Sequence, residues 1–386
     1  MTVDLAREFP QDDCLVYLNH AAVAPWPART AAAVSAFARE NVSRGATDYA
    51  AWTERETELR RQLAQLINAR SADEIALAKN TSEALSFVAN GISWSAGDNI
   101  VSSDEEFPSN RMVWEVLAPR GVELREVALR GSDGADPEAR LEAACDARTR
   151  LIAVSSVQYA SGLRLDVERL GRFCTRGHIL LCLDAIQSLG ALAFDVQACN
   201  ADFVVADGHK WMLGPEGVAL FYVRAERLGE LRLSEHGWHM TSRPGDYDSR
   251  AWQPAPSARR FECGSPNMLG VHALSASLSL LMEVGIEAVE AAVLERSAHL
   301  ITRFRDDPRY RLLTPARDRL RSGIVTVKPM ERDAARLHAQ LRARGVICAH
   351  RGGGLRFSPH FYTPMAKIER ALGILDELVD ASRPAG

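Results

Sequence analysis

The sequence predicts an α/β architecture: a mainly parallel sheet flanked by helices, joined to a smaller α+β unit. Three observations lead there. Between about residues 70 and 225, short apolar runs alternate with amphipathic stretches of helical length, the signature of β-α units. The last two of those runs are separated by a Gly/Pro-punctuated link, Gly214-Pro215-Glu216-Gly217 at its end, too short for a crossover helix, so that pair is expected to be antiparallel. At 386 residues the chain outgrows a single hydrophobic core and predicts a large unit with a smaller companion.

The elements follow in order. Residues 27–41 and 52–68 read as helices, the second carrying Leu59, Leu63, Leu66 and Ile67 at helical spacing. Strands are expected at 74–78, 99–102, 151–157, 179–183, 203–206 and 218–223. Residues 234–257, rich in Trp, His, Pro, Gly and Arg without periodicity, read as a long loop and a candidate binding segment. A long Ala/Leu/Ser helix begins at Leu269, and 324–328, 334–344 and 355–358 suggest the small α+β unit. The expected division is a large domain at 19–260 and a small one formed by 1–18 with 261–386.

Composition narrows the function. With 47% hydrophobic and 25% charged residues the chain is that of a globular protein, which excludes disorder and fibre. Its 46 basic and 50 acidic residues give a net charge of −4, so neither nucleic acid nor a membrane surface is an expected partner, and a small-molecule ligand is. Seven cysteines, an odd number without a CxxC pair, fit a reducing cytoplasm. No leader or membrane-spanning run is apparent. Of the 46 basic residues only four are lysines (Lys79, Lys210, Lys328 and Lys367), so chemistry needing a primary amine has four candidates.

Lys210 lies in Asp207-Gly208-His209-Lys210-Trp211, just after an apolar run, where a strand ends and a loop opens onto a crevice. Partial desolvation and the neighbouring His209 would both lower its pKa toward the range of a nucleophile or base. Asp184 ends the apolar run Ile179-Leu180-Leu181-Cys182-Leu183. A carboxylate there needs a cation or hydrogen-bond donors, and a cofactor's pyridinium nitrogen, a helix N-terminus and an arginine all qualify. Lys79-Asn80-Thr81-Ser82-Glu83 opens a helix after a short strand, which suits either a phosphate site or an ordinary capping box. Phe107, in Glu106-Phe107-Pro108-Ser109, is either a stacking ring or a core residue. Arg356, with Arg351 close by, offers a planar clamp for a carboxylate. His236 and His239 stand three apart without a third ligand pattern, so no metal site is expected.

Together these motifs resemble the class V aminotransferase family of fold-type I pyridoxal-phosphate enzymes, which includes cysteine desulfurases, selenocysteine lyases, kynureninases and isopenicillin N epimerase-like proteins. The likeness spans nearly the whole chain. Tyr17-Leu18-Asn19-His20-Ala21-Ala22 is similar to the family's opening strand, and Asp184-Ala185-Ile186-Gln187 with Asp207-Gly208-His209-Lys210 to its paired cofactor motifs. The resemblance implies pyridoxal 5'-phosphate as cofactor, held covalently by Lys210, with Asp184 at the ring nitrogen and Gln187 at the phenolic oxygen. It implies Thr81, Ser82 and His209 on the phosphate, Phe107 stacked on the ring, and Arg356, Arg351 and Asn19 on the substrate. The segment Arg260-Phe261-Glu262-Cys263-Gly264-Ser265-Pro266-Asn267 resembles the one that reaches across a homodimer, with Ser265 as a phosphate ligand in trans and the active site at the subunit interface.

One departure bears on the activity. In selenocysteine-lyase-like desulfurases, a loop between the positions of Arg351 and Arg356 bears the sulfur-accepting cysteine; here the interval is only Gly352-Gly353-Gly354-Leu355. Phe107 stands where desulfurases place histidine, as in the kynureninase and epimerase branch. The resemblance therefore implies an enzyme acting on an L-amino acid through a Cα carbanion, foremost a desulfurase or C–S lyase-like β-elimination without the persulfide-loop cysteine. A class V aminotransferase or an epimerase-like racemase is the alternative, and a non-catalytic pyridoxal-phosphate-binding protein a remote one.

Overall fold

The computed structural model describes residues 3–130 and 136–380. The strands in chain order are β1 (Val16–Tyr17), β2 (Ile75–Ala78), β3 (Asn99–Ser103), β4 (Glu123–Val127), β5 (Thr149–Ser155), β6 (Leu180–Asp184), β7 (Phe203–Asp207), β8 (Ala219–Val223), β9 (Tyr310–Leu312), β10 (Val325–Pro329), β11 (Val346–Ile347), β12 (Ala349–Arg351) and β13 (Gly354–Phe357). Seven of them form one sheet in the order β2-β8-β7-β6-β5-β3-β4. All neighbours are parallel except those of β8, which runs against both β7 and β2, as the short link before it requires. The expected α/β class with a mainly parallel sheet is the observed one, and the sheet has seven strands.

The inner strands are apolar through their middles, with polar residues confined to their ends, because helices cover both faces of the sheet. Leu181, Leu183, Val204 and Ala206 point to one side, where Leu59 and Leu63, Leu170 and Cys174, and Leu274 and Leu278 meet them from three helices. Cys182, Phe203, Val205 and Phe221 point to the other, against Ala84, Leu85, Val88 and Trp114. Edge strand β4 was not among the sequence's strand candidates: Glu123-Leu124-Arg125-Glu126-Val127 has no fully buried position and so no apolar run to read.

The helix expected from Leu269 is two helices, Met268–Val284 and Ile286–Arg305, separated by Gly285 at φ +87° and bent by 84°. The first packs on helices Ala28–Arg44 and Tyr49–Leu66, so the large apolar core continues past residue 260. No single described helix is long and apolar enough to cross a membrane. Beyond them β12-β13-β10-β9 form an antiparallel sheet, and β1 pairs in parallel with β11, tying the N-terminal segment to the C-terminal part. Leu355 and Phe357 of β13 enter a third apolar cluster with Leu300, Phe304 and Ile368; Arg356 between them points the other way, by the two-residue alternation of a strand.

One glycine is needed where the two motif segments meet. Gly190 has φ +91°, and a Cβ there would stand 2.2 Å from the Trp211 carbonyl oxygen, next to Lys210. Gly190→Ala is expected to destabilise the fold by about 2–4 kcal/mol through left-handed strain and overpacking. The check is a lower urea midpoint at unchanged slope.

Candidate active site

Parallel strands β5, β6 and β7 end side by side with Ser155, Asp184 and Asp207 at their C-terminal ends. A cleft of about 300 Å³ opens there, and nine of the eleven sequence-predicted site residues line it: Lys210, Asp184, Gln187, Thr81, Ser82, Phe107, His209, Arg351 and Arg356. Strand ends of an α/β sheet are where such a crevice belongs. Asn19 and Ser265 lie outside the lining.

Lys210 sits in the link from β7 to β8 and is 8% exposed. The other three lysines are engaged or open to solvent: Lys79 ion-pairs with Glu83 at 2.6 Å, Lys367 donates to the Asp12 and Leu15 carbonyls, and Lys328 is exposed. Burial lowers the Lys210 amine to about 8, opposed by the charge of Asp184. Asp184, likewise buried, is pushed up to about 7 by desolvation, while the Ile186 N–H donated to Oδ1 at 3.0 Å and the Lys210 charge pull the other way. A single local hydrogen bond leaves this carboxylate short of partners, as befits one that faces a cation in the cleft.

The orientation of Gln187 is set by its neighbours. Trp211 Nε1 donates to Gln187 Oε1 at 2.8 Å, and Gln187 Nε2 donates to the Ala21 carbonyl at 3.1 Å. The indole cannot accept, so the amide oxygen must face it, which leaves the second Nε2 hydrogen for the cleft.

At helix Thr81–Gly91 the two readings of the motif separate. Asn80 is the N-cap: its Oδ1 accepts from Glu83 N at 2.9 Å, and Glu83 turns back to Lys79 N at 2.6 Å. Capping is therefore complete without Thr81, whose hydroxyl is buried with no hydrogen-bond partner among the described residues. An unpartnered donor at a helix N-terminus is a fit for a phosphate oxygen. Ser82 Oγ donates to Ser109 Oγ at 2.8 Å, and His209 Nδ1 stands 3.0 Å from Asp207 Oδ1, which leaves Nε2 free to face an anion.

Phe107 is not a core residue: its ring is 42% exposed, with the edge of Tyr159 at 5.2 Å and Lys210 Nζ 5.6 Å from the ring centre. Arg356 is almost fully buried, donating Nη1 to the Tyr159 carbonyl at 2.7 Å and Nη2 to Asn19 Oδ1 at 3.4 Å. Its Nε is buried with no hydrogen-bond partner among the described residues, and burial lowers the guanidinium to about 10. Asn19 thus meets the site through Arg356. Arg351, at the exposed end of β12, reaches the cleft beside it.

Ser265 is exposed and lines a separate groove with Lys79, Glu83 and Cys263, so within one chain it does not join the cleft. His236 and His239 diverge. His236 packs on Trp252, whereas His239 is buried between Glu56 and Glu262, whose carboxylates share Arg60. Three functional neighbours escaped the sequence reading. Tyr159 and Glu216 line the cleft, and Glu106 is buried behind Phe107, accepting from Ser155 N, Gln158 Nε2 and Asn110 Nδ2 at 2.8–2.9 Å. Tyr159 follows β5 by four residues, and that position after a parallel strand was the signal available.

The chemistry of this set fits pyridoxal phosphate: a buried carboxylate for a ring N–H, an amide donor for a phenolic oxygen, an open aromatic face, and hydroxyl and imidazole groups at a helix start for a phosphate. The model of the family described as aminotransferase class-V matches residues 16–370. The chain belongs to that family. It is accordingly a pyridoxal-phosphate-dependent enzyme of cysteine-desulfurase-like kind. A probable cysteine desulfurase of Methanothermobacter thermautotrophicus is 34% identical over 304 residues, covering 75% of this chain and 72% of that one. Among solved structures, an apo cysteine desulfurase from Thermococcus onnurineus NA1 superposes with a TM-score of 0.87 at 24% identity, covering 99% of both chains. A cystine C–S lyase bound to its product cysteine persulfide does so with a TM-score of 0.87 at 22% identity, over 96% of this chain and 99% of that one. At these identities the two structures speak to the fold.

The raised pKa of Asp184 has a consequence for the cofactor-free protein. A carboxyl whose folded pKa, about 7, lies above its unfolded value, near 3.8, binds more protons folded than unfolded between them. Its burial cost is absent below about pH 4 and fully present above about pH 7. Asp184→Asn is expected to stabilise the apoprotein by about 1–3 kcal/mol at pH 8 and by clearly less at pH 5. Urea unfolding at the two pH values checks this, and equal effects at both would contradict it.

Proposed function

We propose that this protein is a C–S lyase of the cysteine desulfurase kind, acting on L-cysteine or a related sulfur- or selenium-bearing amino acid, and releasing the sulfur without a cysteine of its own as acceptor. The observation that supports the second half is the β12–β13 connection. Arg351 pairs with Gly354, so the turn holds only Gly352 and Gly353, at φ +56° and +75°. Both are left-handed, as a two-residue hairpin turn requires. None of the residues lining the cleft is a cysteine. The first half rests on the desulfurase relative and on a cleft that offers a buried amine beside a carboxylate clamp.

When bound, pyridoxal phosphate supplies an electron sink that acidifies the substrate's Cα–H. Asp184 would hold the ring nitrogen protonated, Gln187 Nε2 would donate to the phenolic oxygen, Phe107 would face the ring, and Thr81, Ser82 and His209 would hold the phosphate. Arg356, steadied by Asn19 and assisted by Arg351, fixes the substrate carboxylate and so the Cα–H direction. Lys210 would hold the cofactor and, once free, its amine would take the Cα proton; an amine lowered to about 8 is suited to that near neutral pH. The Cβ–S bond then breaks, sulfide leaves, and hydrolysis of the remainder yields pyruvate and ammonia. Exposed Ser265 completes the phosphate site of a second copy, which makes the protein a homodimer with its active site at the interface. Its seven free cysteines support a cytoplasmic location.

Three experiments test this. Holoenzyme mixed with L-cysteine and no 2-oxo acid is expected to accumulate pyruvate and sulfide with the cofactor still pyridoxal phosphate; stoichiometric conversion to pyridoxamine phosphate would make it an aminotransferase. Lys210→Ala is expected to lose the visible band of the lysine-bound cofactor and all turnover. Arg356→Ala should keep its cofactor while KM rises about 10- to 100-fold; loss of cofactor instead would show that the arginine's role is misassigned.

A further inference from the structure

We propose that Ser277 is a positioning residue for Lys210, acting through the backbone of Leu213, with Thr30 fixing the direction in which Ser277 donates. The inference rests on the reading of Lys210 as the cofactor-binding lysine.

Leu213 is the anomaly that points to it. Four described non-glycine residues have positive φ: Asn68, His178, Asn200 and Leu213, the last at +61°. Asparagine tolerates that region and histidine is enriched there, whereas a leucine is held there against a cost of about 1–2 kcal/mol. Leu213 is also fully buried. Its conformation closes the loop that carries the lysine: Leu213 N donates to the Lys210 carbonyl at 3.0 Å, Gly214 N to the Gly208 carbonyl at 2.9 Å, and Gly208 N to the Val218 carbonyl at 3.0 Å. Relaxation at Leu213 would therefore move the main chain from which the Lys210 side chain springs.

What opposes relaxation lies on two helices. Ser277, in helix Met268–Val284, donates Oγ to the Leu213 carbonyl at 2.8 Å. A serine hydroxyl has one hydrogen, so the contact at 2.7 Å between Ser277 Oγ and Thr30 Oγ1 has Thr30 as donor. The result is a directed chain, Thr30 to Ser277 to Leu213, with all three residues fully buried. Trp26 Nε1 donates to the next carbonyl, Gly214, at 3.1 Å, and Leu274 of the same helix packs under the loop, 2.6 Å from where a Gly214 Cβ would stand. With Leu213 fully buried, loss of the Ser277 hydroxyl leaves its carbonyl without that donor.

The experiment uses holoenzyme variants Ser277→Ala, Thr30→Val and Thr30→Ser. Three readouts are followed: the pH at which the visible spectrum of the bound cofactor titrates, the rate at which apoprotein reloads pyridoxal phosphate, and the melting temperature. Ser277→Ala is expected to move the spectral midpoint by about half a pH unit or more, and to slow reloading about 10-fold. Thr30→Val, which keeps the shape and loses the donor, moves both in the same direction by less, and Thr30→Ser restores them. A lower melting temperature with spectrum and reloading unchanged would overturn the proposal and leave Ser277 a structural residue; should Ser277→Ala not fold, the Thr30 pair decides by the same criteria. Lys210→Ala run alongside separates the two levels: a lysine-bound band persisting in that variant removes the ground for both readings, whereas its loss with wild-type behaviour of the Ser277 and Thr30 variants rejects this inference alone.

Discussion

A lysine and an aspartate buried together at the ends of adjacent strands govern the rest of this structure. Burial penalises the charged form of each, lowering the amine to about 8 and raising the carboxyl to about 7, and their mutual attraction recovers only part of that penalty. The fold must supply the remainder. It does so with strands that are apolar on both faces, helices on either side, and a hairpin link whose hydrogen bonds hold the lysine's backbone. The site is destabilised where it has to react, and the surrounding core carries the cost.

Lys210, Arg356 and Arg351 bring positive charge to the cleft, and the hydroxyls of Thr81 and Ser82 and the imidazole of His209 line it as well. In the proposed reading two different devices would serve two anions: strand residue Arg356, locked by the Tyr159 carbonyl and Asn19, for a substrate carboxylate, and neutral donors at a helix terminus for a phosphate. The closing of the N-terminal segment onto the C-terminal sheet brings Asn19 to Arg356: β1 pairs with β11, and Asn19 bridges Ser358.

The features legible in the sequence were those with local causes. The inner strands could be read because burial on both faces makes them continuous apolar runs, and Lys210 and Asp184 because polar residues at the ends of such runs need a reason. Strand β4 could not, since an edge strand with exposed alternate positions resembles a polar loop. The break at Gly285 was hidden inside an apolar run that continues on both sides of it. For Thr81 the sequence allowed two roles, and only geometry shows Asn80 taking the cap and leaving the hydroxyl free. The cluster of Glu56, Arg60, His239 and Glu262 joins segments far apart in the chain, and Leu77 N–H also donates to Glu262 at 2.9 Å; no spacing rule reaches across such distances.

Thiol chemistry bears on the proposed fate of the sulfur. The thiolate, and not the thiol, attacks sulfur, so a relay cysteine needs access and a lowered pKa. Cys348, the cysteine nearest in sequence to the glycine turn, is buried and pushed up to about 12 by desolvation despite Arg356. Cys174 and Cys182 are buried and raised as well, and Cys199 reaches about 12 for the same reason. Cys263 lies in the groove of Ser265 and donates its S–H to Glu235 at 3.2 Å; partial burial and that carboxylate both raise its pKa. None of these five environments favours a thiolate, and these five thiols are thereby kept from competing for sulfur released in the cleft. In the proposed reaction the leaving sulfur accordingly meets solvent or an acceptor from outside the chain, which is the consequence of replacing a long cysteine-bearing loop by a two-glycine turn.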